Sequence, residues 1–254
     1  NEGVTEFEKI DLRTAQNYSW SFTGDNLNIM IRDVFSRDIQ GKMGHLYTRS
    51  RAYHLYLNGM YWGLFQTQER GSKEHAESYL GGEKSDYDVI KVETDGYVID
   101  ATDGTVDAWQ NIWNLCLSGF TTNTNYNKLQ GLNINGIRDT SLPVLVDLDN
   151  LIDYMLIIFY GGNFDAPVSK FLSNKSPNNF YAIYNRNNKN EGFKFLIHDA
   201  EHTLHTTITD AGIGINENRV TLTNMTVTSF DKFHPQWLHQ RLCSNANYRL
   251  RFAD

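Results

Sequence analysis

Hydrophobic and polar residues alternate loosely in "EFEKIDLRTA", where Phe7, Ile10 and Leu12 stand among charges, and this predicts a strand. In "DNLNIMIRDVFSRDIQGKMG" the apolar set Leu27, Ile31, Val34, Phe35 and Ile39 falls at helical spacing, with Asp25 suited to the N-cap and Gly41 or Gly44 to the stop. The run "RAYHLYLNGMYWGLFQTQE" holds two β-rich segments around Asn58-Gly59, a favoured pair for a two-residue hairpin turn. A short helix capped by Ser72 ("GSKEHAESYL") and a short strand ("YDVIKVE") follow. Residues 94–140 are rich in Thr, Asn, Asp and Gly, with one amphipathic helix around Val106–Leu117. In "DLDNLIDYMLIIFYGG", Leu148, Leu151, Ile152, Met155, Leu156 and Phe159 cover more than one face, which predicts a buried helix stopped at Gly161-Gly162. A loop over 163–179 leads to "FYAIY", the polar turn "NRNNKNEG" and "FKFLIH", a second hairpin.

The expected fold is therefore α+β. Residues 1–70 form a small lobe of strand, helix and hairpin, and residues 71–254 a larger, mainly helical lobe. The chain opens without Met and closes on "NYRLRFAD", which reads as helix in progress, so both lobes are expected to continue past the given ends.

Composition narrows the class. A chain of 254 residues can bury a sizeable core, and contents of 40% hydrophobic and 21% charged residues are those of a globular protein. No apolar run approaches the roughly 20 residues that span a bilayer. A net charge of −7 argues against sequence-independent nucleic-acid binding, which depends on clustered Lys and Arg. Cys116 and Cys243 belong to no CxxC motif and leave the redox compartment open.

The densest chemistry lies in "GFKFLIHDAEHTLH", residues 192–205. His198-x-x-Glu201-His202 matches H-x-x-E-H, a zinc peptidase pattern that needs a helix to bring both imidazoles to one metal. Here β-favouring residues precede His198, and on a strand positions i and i+4 lie roughly 13 Å apart. The order of elements suggests phosphoryl transfer instead. A buried helix ends, a loop carries Asp165, Asn178-Asn179 opens a hairpin, and its second strand delivers Asp199. Protein kinases present their base, their metal-binding Asn and their metal-binding Asp in that order. A glycine-rich phosphate loop is missing; nothing before Glu6 can serve as one.

Several motifs carry a family resemblance. "YHLYLNGMYWGLFQTQE", "DNLIDYMLIIFYGGNFDAP", "NNFYAIYNR…GFKFLIHDAEHTL", "KIDLRTA" and "HPQWLHQRLCSNANYRLRFAD" occur in order and resemble the CotH (spore coat protein H) kinase family over nearly the whole chain. The resemblance implies an atypical, two-lobed, protein-kinase-like fold. It would transfer phosphate from ATP to protein hydroxyls with Mg²⁺ or Mn²⁺, on secreted or cell-surface proteins. Asp165 would be the catalytic base, and Asn179, Asp199 and Glu201 would hold the metal. Arg13, Lys9, Glu69 and Lys91 are the candidate cofactor-binding residues: Arg13 or Lys9 for phosphates, Glu69 at the hinge, Lys91 as a further basic group. The family's W-D-x-D-x-x-F-G becomes His198-Asp199-Ala200-Glu201-His202-Thr203-Leu204-His205, with Glu in the second acidic place and no Phe-Gly. The alternatives are a surface or adhesion module that kept the fold and lost turnover and, third, the zinc peptidase.

Overall fold

Strand pairing accounts for most of the architecture in a computed structural model, which describes residues 3–5, 8–19, 22, 24, 29–205, 216–221 and 227–254. β1 (Ile10–Arg13), β2 (Ser50–Leu57) and β3 (Met60–Glu69) form an antiparallel sheet in the order β1-β3-β2. The expected hairpin turn is present, with Asn58 and Gly59 both at positive φ. In this register Arg13 stands opposite Gln66 and Ile10 opposite Glu69. Phe7, Asp25 and Leu27 lie outside the described residues.

The helix expected over 25–44 is observed as α1 (Arg32–Lys42). Its buried side chains are the polar Arg32, Asp33, Ser36, Arg37 and Gln40, while Ile31 and Phe35 are exposed. α1 packs on β7 (Lys194–Ile197) and a long helix, α5 (Leu148–Gly161), where strand ends leave backbone groups to be satisfied. Gln40 donates to Phe195 O at 2.7 Å and accepts from Ile197 N at 3.0 Å, and Asp33 accepts from Ala200 N at 2.8 Å. Apolar side chains could not make these bonds, so the polar face turns inward.

After α2 (Lys73–Leu80), capped by Ser72 as expected, β4 (Tyr87–Glu93) and β5 (Val98–Asp103) join β6 (Phe180–Asn185) and β7 (Lys194–Ile197). This second sheet is antiparallel throughout, in the order β5-β4-β6-β7. Helices α3 (Asp107–Ser118), α4 (Asn123–Leu129), α5 (Leu148–Gly161), α6 (Pro235–Leu242) and α7 (Ala246–Ala253) complete the chain. The main core lies between this sheet and α3, α5 and α6. Trp109 stacks on Phe233 at 4.5 Å and meets Phe193 and Phe195 edge-on. Each such side chain contributes about 1.5–3 kcal/mol on burial. The α+β, two-lobed reading of the sequence matches this arrangement.

Candidate active site

α5 and the second hairpin bring the acidic residues together. α5 starts where Asp147 accepts from Asn150 N at 3.1 Å and ends at Gly161. A Cβ at Gly161 would stand 2.5 Å from Thr203 Cγ2, and Gly161 O accepts from Leu204 N at 2.7 Å. The glycine therefore lets the acidic turn after β7 sit directly on the helix end, beside the loop that carries Asp165.

Asp165 is nearly buried and surrounded by donors. Its Oδ1 accepts from the Ser169 hydroxyl, and its Oδ2 from the side-chain amides of Asn178 at 3.1 Å and Asn179 at 2.9 Å. Burial lifts its carboxyl to about 6; the Ser169 and Asn178 bonds pull the other way, and the charge of Asp199 adds to the rise. On the facing turn, burial and then Asp199 lift Glu201 to about 7, and burial also raises Asp199. Glu201 accepts from the Asn17 amide nitrogen at 2.7 Å and its backbone N–H at 3.2 Å. Both Asn179 and Asp199 sit at positive φ, 50° and 48°. Asn and Asp are the non-glycine side chains that adopt that region most readily, so both positions suit their residues.

Of the four candidate cofactor-binding residues, Arg13 reaches these acids. Its Nη2 donates to Asp199 Oδ1 at 2.6 Å. Burial would lower the pKa of this guanidinium, yet Asp199 and Asp33 hold it above its ordinary value. Arg13, Asp33, Asp199 and Glu201 line one small cavity. Lys9 and Glu69 line another and are engaged there: Lys9 bonds Glu74 at 3.3 Å, and Glu69 accepts from Arg49 N at 2.8 Å and the Tyr79 hydroxyl at 2.5 Å. Burial opposes the charge of Glu69, but bonds from His75, Tyr79 and Arg49 bring it down to about 2. Lys91 pairs with Glu93 at 3.4 Å on β4.

The two histidines of H-x-x-E-H serve different neighbours. His198 packs its ring on Tyr181 and places Nδ1 3.4 Å from Arg37; His202 Nδ1 meets the Tyr18 hydroxyl, and its ring lies on Phe164. Burial holds both neutral, His202 down to about 3. Among the described residues, no group of three His, Cys, Asp or Glu side chains is arranged to hold a metal ion. Asn179 is directed at Asp165, not at Asp199. Asp199 and Glu201 line one small cavity and offer the oxygen donors that a hard cation takes, with Asp165 on the neighbouring cavity.

Sequence reasoning missed the supports. Asp33 bonds Arg37 Nε and Gln66 Nε2, both at 2.9 Å, besides Ala200 N, and so ties α1, β3 and the acidic turn together. Arg219, fully buried, donates to Val168 O at 2.6 Å and Asn174 Oδ1 at 3.0 Å, and Glu217 accepts from Lys170 at 2.6 Å. Together they clip the Asp165 loop. An Asp–Arg pair four apart on α1 was visible in the sequence, but its partners 33 and 167 residues away were not.

Asp165 thus follows a buried helix, Asp199 and Glu201 follow a buried hairpin, and Arg13 comes from the first sheet. The family model described as CotH kinase protein matches residues 22–254, and the chain belongs to that family. No curated protein matches it.

Proposed function

We propose that this protein is an active CotH-type kinase that transfers the γ-phosphoryl group of ATP to a protein hydroxyl, with Mg²⁺ or Mn²⁺, at a cell or spore surface. Residues 1–70 act as its small lobe and 71–254 as its large lobe. The observation that carries the reading is that Asp199, bonded to Arg13 from β1, lies close enough for its charge to act on both Asp165 and Glu201.

Asp165 takes the proton of the acceptor hydroxyl. That oxygen forms a bond to the γ-phosphorus as the bond to the bridging oxygen breaks, and ADP leaves with the bridging oxygen. A base near pKa 6 is largely ionised at neutral pH and still proton-accepting. Asp199, Glu201 and Asn179 would hold the metal, whose chemistry is to neutralise phosphate charge. Arg13, freed from Asp199, would contact phosphate oxygens. Among the described residues no helix is long and apolar enough to cross a membrane.

The bond of Asn179 to Asp165 rather than Asp199 favours a second reading, a kinase-fold module without turnover. Calorimetric titration of ATP with and without Mn²⁺ separates the two, together with γ-phosphate labelling of protein. Asp199→Ala is expected to lose metal-dependent nucleotide binding. Asp165→Ala keeps binding and loses transfer by roughly 10²–10⁴-fold. Binding and labelling like the parent in both variants would remove the assignment; binding without labelling in the parent would favour the second reading.

A further inference from the structure

Next to Asp165 opens a cavity of about 490 Å³. Tyr18, Tyr97, Phe171 and Leu172 supply apolar wall, and Asp165 and Asn178 stand at the reacting end. The walls are braced. The Tyr18 hydroxyl is bonded to His202, and Phe171 packs on Phe164 and His202 at 5.7 and 5.2 Å. Lys232 donates to the backbone carbonyl of Tyr97 at 2.9 Å.

Charge is almost absent from this wall. Asp165 is the one acidic or basic side chain among the described residues lining it, and His202 is neutral because it is buried. An acidic side chain entering here would lose hydration without a counter-ion, and a basic one would find only Asp165, the carboxylate that the acceptor hydroxyl needs. A large apolar one would remove itself and the rings from water, at about 25 cal/mol per Å².

We propose that this cavity is the acceptor subsite, and that it selects a protein hydroxyl with a large uncharged apolar or aromatic side chain beside it. The proposal rests on the kinase reading above and names the substrate class for that site. The acceptor oxygen must come within hydrogen-bond distance of Asp165. An adjacent side chain then falls against Phe171 and Tyr97, whose rings offer the edge and face contacts that aromatic partners favour. Phe171 is 52% exposed, so its ring is available to a ligand and its loss leaves the core intact.

The test uses serine peptides in which the residues flanking the serine are Phe, Ala, Lys or Glu, with the parent and Phe171→Ala. In the parent, kcat/KM for the Phe-flanked peptide is expected to exceed that for the Ala-flanked one by about 10–100-fold, the scale on which apolar pockets discriminate. In Phe171→Ala that ratio falls toward one. Equal rates, a preference for Lys or Glu flanks, or a ratio unchanged in Phe171→Ala would overturn the proposal. Preferential labelling of a free sugar in the same assay would overturn it too. MnATP titration of the parent separates the levels: binding without side-chain selection sinks the subsite alone, and no binding sinks the kinase reading beneath it.

Discussion

The β2–β3 hairpin leaves Tyr53, Tyr56, Met60 and Trp62 more than half exposed, whereas β6 is buried on both faces from Phe180 to Tyr184. The alternation of β6 divides its side chains between two clusters. Phe180, Ala182 and Tyr184 join the main core, and Tyr181 and Ile183 pack with Ala76, Tyr87, Val89 and Leu196. Both segments have β-forming composition and a turn, yet among the described residues the second alone is covered on each face. Asp199 follows directly on that buried hairpin, and precise placement of acids needs a rigid support. The first hairpin meets the supports of the site at its base, where Gln66 bonds Asp33.

The sharpest way to break this contrast is at its centre. Phe195, fully buried on β7, should cost about 3–5 kcal/mol as Phe195→Ala, read by urea denaturation. Nucleotide binding should fall with it, because the acidic turn loses its footing. A loss below ~1 kcal/mol would mean that the second hairpin is no more essential than the first.

Next comes the pH response of the acidic turn. Glu201 is held up at about 7 against an ordinary 4.5, so the folded protein keeps a proton that the unfolded chain has released. Its stabilising contribution is complete below pH 4.5 and is lost as pH rises through 7. Relative to Glu201→Gln, which cannot titrate, the parent should lose up to about 1.4 kcal/mol per pH unit across that window. Buried His202 and His234, both pushed down to about 3, act with the opposite sign, being charged more readily when unfolded. They are common to parent and variant, so the difference isolates Glu201. Added Mn²⁺ should flatten the difference by favouring the ionised carboxylate; an unchanged slope would argue against a cation there.

Two smaller effects test the first hairpin. Gly59 has φ +79°, and nothing lies within 4 Å of a Cβ built there, so Gly59→Ala should cost about 1–2 kcal/mol through backbone strain alone. Trp62→Ala, at a side chain 56% exposed, should change stability by less than about 0.5 kcal/mol. A loss approaching that of Phe195→Ala would show that this face is covered in the protein as it works.

Much of the site was legible because its signals are local. Asp165 after a buried helix and Asp199 after a β-run are near-neighbour patterns, and the family motifs preserve their order. Lys9, Glu69 and, as a further basic group, Lys91 read as candidate cofactor ligands, but each is engaged by a neighbour: Glu74, the Arg49–His75–Tyr79 group and Glu93. Such competition depends on which opposite charge the fold brings near, and no spacing encodes that.

By itself the sequence determined the hairpin turn at Asn58-Gly59, the cap at Ser72, the buried helix α5 and the place of each acid along the chain. Backbone conformational preference and side-chain period act over a few residues, and that suffices for such features. Tertiary structure alone decided that α1 turns its polar face inward, that Arg13 meets Asp199 across 186 positions, and that Asn179 bonds Asp165. Those choices come from satisfying buried charges and backbone groups, whose partners exist only once distant segments have packed together.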